Sequence, residues 1–285
     1  MRQICTHEGF VTRYPSEIAM AINPFDAATA EAGSTLKPAA HGGLVPSRIA
    51  AASTEQPLLQ EAHAEFRDFV MRQEFPCVGA RAAFNSGSYA VAAYDELGSE
   101  AATANLARDL FEFTRSEIRE ASEYATFVAV FSGSAPEDEL QFEHALWQQL
   151  QRLNGLDASH FDWDPMASAD PTDAQFSFSF AGQALYVIGM HPNASRDARR
   201  FRWPAMVFNP HEQFEKLRAD GKWKRMQQTI RERDVQLQGS INPMLSDFGE
   251  VTEARQYSGR AVEENWRAPF EPVKAPAAGK CPFHH

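Results

Sequence analysis

Residues 175–180 read Gln-Phe-Ser-Phe-Ser-Phe, a strict alternation of polar and apolar side chains, and after Ala181-Gly182-Gln183 the chain runs on as ALYVIGM. Successive side chains of a strand point to opposite faces, so this period of two places Phe176, Phe178 and Phe180 on one face of a sheet. Two such runs joined by a short Gly-containing turn predict a β-hairpin over 175–190. A hairpin requires antiparallel pairing, which excludes an all-helical fold and a purely parallel sheet.

The rest of the chain alternates helix-period and strand-period segments. Leu58, Leu59, Ala62, Phe66, Phe69 and Val70 recur at helical spacing from about Gln56, and Phe75-Pro76 ends that helix. Tyr89–Tyr94, 125–131 (ATFVAVF) and 204–209 (PAMVFN) read as strands. Helices are expected over 100–123, 137–153, 212–218 and 222–237, with Asp220-Gly221 splitting the last two. The expected fold class is therefore α+β, a single domain with a central, mostly antiparallel sheet flanked by helices. Residues 1–55 are rich in Ala, Gly, Ser, Thr and Pro and read as a loosely structured arm or a lid. The main domain spans 56–270, and 271–285 is a tail.

Composition narrows the function classes. Lys and Arg number 27 against 38 Asp and Glu, a net charge of −11, which disfavours nucleic acid and anionic lipid as partners. Cys5, Cys77 and Cys281 are few, odd in number and far apart, so a disulfide framework is not expected and a reducing, cytoplasmic compartment is. No apolar run approaches membrane-spanning length and residues 1–10 lack a signal-peptide core.

Five segments carry chemistry. In 75–81 (FPCVGAR), Cys77 follows a proline and precedes a helix start, where unsatisfied N–H groups and the helix dipole stabilise a thiolate. A thiolate there can ligate haem iron, Gly79 lets a flat macrocycle approach, and Arg81 can answer a propionate. The competing reading is a buried structural cysteine beside a turn. In 189–201, His191 ends a strand and Arg196, Arg199 and Arg200 follow, a set suited to carboxylates or propionates, or to a surface basic cluster. In 208–214, Asn209, His211 and Glu212 sit where a strand turns into a helix. His211 and His191 with a carboxylate could make a non-haem metal site, although no HxxE or HExxH spacing supports it, and helix-start hydrogen bonding is the other reading of His211. In 238–250, Asp247 and Glu250 are candidates to hold a cationic group, in what otherwise reads as a polar loop. The terminal Cys281-Pro282-Phe283 can bind haem, but chain ends usually fray.

Taken together, FPCVGARAAF (75–84), FSFSFAGQALYVIGMHPNASRDARRF (176–201), PAMVFNPHEQFEKLR (204–218) and 230–260 resemble the YqcI/YcgG family over roughly residues 55 to 285. The resemblance implies a haem b protein that uses dioxygen, and electrons from a separate donor or reductase, to N-hydroxylate a guanidine or amine group, L-arginine or a relative being the first expectation. It departs from the family pattern after Trp266, where Arg-Ala-Pro-Phe stands and Cys-Pro-Phe comes later. On this reading Cys77 is the axial ligand, with His191 as the alternative. Arg81, Arg196, Arg199 and Arg200 are candidates for the propionates or a substrate carboxylate. His191 and His211 are candidates for the reacting side, and Asn209, Asp247 and Glu250 for the substrate. Two alternatives remain: a haem-binding sensor or carrier without turnover, and the non-haem metal enzyme.

Overall fold

The computed structural model describes residues 23–26, 36–38, 43–46, 56–116 and 123–273. Most of the 1–55 arm, residues 117–122 and the Cys281 tail lie outside the described residues. In chain order the elements are β1 (Leu36–Pro38), β2 (Gly43–Pro46), α1 (Gln56–Met71), α2 (Val78–Ser86), β3 (Tyr89–Tyr94), α3 (Glu100–Thr114) and β4 (Thr126–Phe131). There follow α4 (Glu139–Asp157), β5 (Phe178–Phe180), β6 (Gln183–Met190), β7 (Ala205–Pro210), α5 (His211–Ala219), α6 (Trp223–Gln238) and α7 (Ala254–Tyr257).

The fold is a single mixed α+β domain. Five strands, β3 to β7, form the body of the sheet, and β1 and β2 extend one edge to give the order β1-β2-β3-β4-β7-β6-β5. Only β2–β3 and β3–β4 pair in parallel; the other four pairings are antiparallel. The 175–190 segment forms the expected hairpin, with Phe180 opposite Gln183. Its two central residues, Ala181 (φ 54°) and Gly182 (φ 74°), both have positive φ, as the two-residue turn that matches strand twist requires. The Asp157 carboxylate at the end of α4 accepts the Ala181 N–H at 2.8 Å and fixes that turn.

Strand alternation divides the interior into two cores. On one face Ala90, Ala92, Phe127, Ala129, Phe131, Val187 and Phe208 pack under α3 and α4 through Leu106, Leu110, Phe113, Phe142, Leu146 and Leu150. On the other, Val91, Val128, Val130, Met190 and Val207 meet α1 and α2 through Leu59, Ala62, Phe66, Val70 and Phe84. The central strand β4 is buried throughout, which is why 125–131 is an unbroken apolar run rather than an alternating one. Each fully buried Leu or Phe contributes roughly 1.5–3 kcal/mol by leaving water.

The α4 helix lies so close to β6 that a Cβ on Gly189 would sit 2.6 Å from both Leu146 Cδ1 and Phe142 Cε1. Both side chains are completely buried and have no room to retreat. Gly189→Ala is therefore expected to cost about 1–3 kcal/mol by overpacking, read as a lower denaturant midpoint with an unchanged slope.

Candidate active site

The two sheet faces sort the candidate residues. On β6, Tyr186, Ile188 and Met190 point toward the α1–α2 side, and on β7 so do Val207 and Asn209; all five line a cavity of about 250 Å³. Helices α1 and α2 close it on one side and α5 and α6 on the other, with Phe66, Val70, Phe84, Met226, Ile230 and Leu245 making its walls mainly apolar.

Cys77 opens onto this cavity from the N-terminus of α2. It is the N-cap residue, and its sulfur accepts the Ala80 N–H at 3.4 Å. Burial pushes its thiol up, while the Ala80 and Gly79 N–H groups and the Arg199 charge pull it back. A Cβ at Gly79 would lie 3.4 Å from the Tyr124 ring and 3.9 Å from Cys77 Sγ, so glycine keeps clear the space beside the sulfur.

Of the four arginines expected at a cofactor or carboxylate, one lines the cavity. Arg199 donates to the carbonyls of Gly189 (2.9 Å), Gln256 (3.1 Å) and Tyr257 (3.3 Å), and among the described residues it meets no carboxylate. Burial presses its pKa down, and the nearby Tyr186, Cys77 and Asp234 oppose that. The other three are engaged elsewhere. Arg81 donates to the Arg72 and Gln73 carbonyls at the end of α1. Arg196 pairs with Asp234 at 2.7 Å, and Arg200 pairs with Asp197 at 2.9 Å.

The two histidines are not brought together. His191 continues the face of β6 that carries Val187 and Gly189; its ring stacks on Phe142 at 4.4 Å in the core under α4. It is 1% exposed, neither ring nitrogen has a hydrogen-bond partner, and burial lowers its pKa to about 4. It is not among the residues that line the cavity with Cys77. His211, the first residue of α5, does line it, with its ring against Phe248 and its Nε2 3.3 Å from the Glu215 carboxylate. Among the described residues, no three His, Cys, Asp or Glu side chains are grouped to hold a metal ion.

The candidate substrate residues also divide. Asn209 lines the cavity and donates from Nδ2 to the Tyr186 carbonyl at 3.3 Å. Asp247 stands behind α6, accepting from Trp223 Nε1 at 3.4 Å and from Gln227 Nε2. Glu250 is exposed and accepts the Asp247 N–H. Two carboxylates that the motif reading passed over line the cavity: Asp234, which is paired with Arg196, and Glu253. Glu253 is 3% exposed, accepts the Tyr257 hydroxyl at 2.6 Å, and lies 3.8 Å from His211 Nδ1. Its sequence signal is faint: Glu253, Gln256 and Tyr257 at helical spacing in a stretch dominated by loop residues.

The lining suits haem in chemical type. It offers a soft sulfur donor at a helix N-terminus, apolar walls and the Arg199 cation, as an iron, a macrocycle face and a propionate require. The volume, about 250 Å³, falls below the usual range of ligand cavities, roughly 300–1,000 Å³. The wall best able to yield to a larger occupant is α6, whose only buried residue is Asp234.

These features define a single-domain α+β protein with a thiol, an arginine and a buried His–Glu pair around one apolar cavity. A model of the YqcI/YcgG family matches residues 66–271, more than half of the chain, and the chain belongs to that family. Comparison with curated proteins and with solved structures gave no match. No helix among the described residues is long and apolar enough to cross a membrane.

Proposed function

We propose that this chain is a haem-dependent oxygenase that N-hydroxylates a guanidine or amine group of a small substrate, L-arginine or a relative being the first to test. The observation that carries the reading is the Cys77 thiol, capped by the start of α2 and facing an apolar cavity beside Arg199. When bound, haem b supplies the dioxygen chemistry: one oxygen atom enters the substrate N–H bond, and the other leaves as water with two protons and two electrons from a separate donor. Cys77 would hold the iron, a thiolate being the ligand class that favours O–O cleavage over reversible oxygen binding. Arg199 supports the thiolate charge and is the nearby cation for a propionate. The apolar walls exclude water, and His211 with Glu253 supplies a polar end where a proton can be held. This arrangement favours Cys77 over His191 as the ligand, because His191 is packed against Phe142 away from the cavity.

The absorption spectrum of the purified protein, ferric and then ferrous under carbon monoxide, tests the proposal together with turnover of L-arginine. A Soret band, a thiolate-type carbonyl spectrum and a product heavier by one oxygen atom are expected. A protein that stays without a Soret band after haem is supplied overturns it.

A further inference from the structure

We propose that α6 is a hinged lid over the cavity, pivoting at its Trp223 end and latched at its other end through Arg196 and Gln238. The lid serves whatever ligand the cavity takes and stands apart from the oxygenase reading.

Trp223, Met226, Ile230 and Asp234 recur at three- and four-residue spacing, form one stripe of α6, and all line the cavity. The opposite face, with Lys224, Arg225, Gln228, Glu232 and Gln236, is exposed. In a protein, burial of such a stripe against a core supplies most of a helix's stability. Here the stripe faces a cavity, and Asp234 is the only buried residue of the helix. Little apolar burial therefore opposes its detachment.

The two ends are held by different means. At the N-terminal end Trp223 packs on Phe214 of α5 at 5.9 Å, with the Arg218 guanidinium 5.0 Å from its ring. At the C-terminal end the ties are polar and run to residues 195–197. Asp234 pairs with Arg196 at 2.7 Å, and Arg196 also donates to Ser240 Oγ at 3.0 Å and to the Ser240 carbonyl at 2.8 Å. Gln238 accepts the Asp197 N–H at 2.7 Å and donates to the Ser195 carbonyl at 2.8 Å. A further contact, from Arg233 Nη1 to the Phe75 carbonyl, is long at 3.5 Å.

Arg196 and Asp234 are 8% and 5% exposed. A buried ion pair adds little stability over apolar packing of the same volume, but it demands one geometry, so it holds the helix in one position. The sequence places Arg196 among the residues suited to a ligand's carboxylate; the carboxylate it meets is on the lid.

A glycine in the left-handed region stands at each end: Gly221 (φ 70°) before α6 and Gly239 (φ 74°) after it. A Cβ on either would meet nothing within 4 Å, so glycine serves the backbone there rather than packing, and the chain has room to turn. Motion is also required by size. The closed cavity, about 250 Å³, is smaller than the roughly 300–1,000 Å³ of usual ligand cavities, so a ligand of that class enters only when a wall moves.

Labelling of Cys77 by N-(1-pyrenyl)maleimide, a flat apolar reagent, tests this on the full chain as purified, with Cys5→Ser and Cys281→Ser leaving a single thiol. Gln238→Ala removes the hydrogen bonds to Ser195 and Asp197 and is expected to speed labelling about 10- to 100-fold. Asp234→Asn keeps the shape of the latch without its charge and should speed labelling about tenfold or more. Gly189→Ala weakens the fold from the other face of the sheet and reports opening of the whole domain; its labelling rate should stay within about twofold of wild type. Should Asp234→Asn fail to fold, Gln238→Ala decides alone. A folded latch variant that labels at the wild-type rate, or Gly189→Ala speeding labelling as much as the latch variants do, overturns the inference.

Discussion

Cys77→Ser is expected to abolish the thiolate-type carbonyl spectrum and to lower turnover by on the order of a hundredfold or more, a ligand being worth at least what its supporting shell is worth. The choice of serine separates chemistry from folding. Cys77 caps α2 by accepting the Ala80 N–H, and serine is among the best residues for that position. The variant should therefore unfold at a denaturant concentration close to that of wild type, and lost haem chemistry could not be ascribed to a lost helix. Cys77→Ala removes both the sulfur and the cap, and should lose a further ~1 kcal/mol of stability. If either variant keeps the wild-type spectrum and full activity, Cys77 is not the ligand. His191 is a poor replacement, since it would have to leave its stack on Phe142 and cross to the other face of the sheet.

The elements were legible wherever one local rule was strong. The Phe-Ser alternation fixed the hairpin, and helical spacing placed α5 and α6 to within a residue; α1 starts at Gln56 as expected but ends at Met71, ahead of the expected stop at Phe75-Pro76. The expected helix at 137–153 instead begins at Glu139, because Asp138 accepts the Gln141 N–H and so defines the start. The site was legible only in part, because sequence reports residue types while the sheet decides which face each one joins. Cys77, Arg199, Asn209 and His211 share the cavity. His191, one residue beyond Met190, falls on the opposite face by the parity of the strand. Arg81 and Arg196 looked like ligands for an anion, yet one closes the carbonyls at the end of α1 and the other pairs with Asp234. Glu253 was hidden for the converse reason: its burial comes from tertiary packing around a single turn of helix, which leaves little periodicity to read.

Glu143→Ala is expected to cost about 3–5 kcal/mol, the largest stability loss of any single change considered for this chain. Glu143 projects from α4 and is 2% exposed. Its Oε1 accepts from Arg260 Nη2 at 3.0 Å and Trp266 Nε1 at 3.1 Å, and its Oε2 from Ser258 Oγ at 3.0 Å and Arg260 Nε at 3.2 Å. Removing the carboxylate leaves the Arg260 fork with Glu263 alone, at the surface, and strips the buried Ser258 hydroxyl and the Trp266 N–H of their acceptor. The effect should reach the cavity as well. The segment held by Glu143 follows directly on α7, whose Tyr257 stacks on Trp147 of α4 at 5.6 Å and donates to Glu253. A strand-poor C-terminal region is thus anchored on α4, on one side of the sheet, while it presents a carboxylate to a cavity that opens on the other. Arg260→Ala should cost less than Glu143→Ala, since the carboxylate then keeps Ser258 and Trp266. Denaturant titration of both variants and of the double mutant gives the coupling, and a Glu143→Ala loss below about 1 kcal/mol would show that the anchor is not structural.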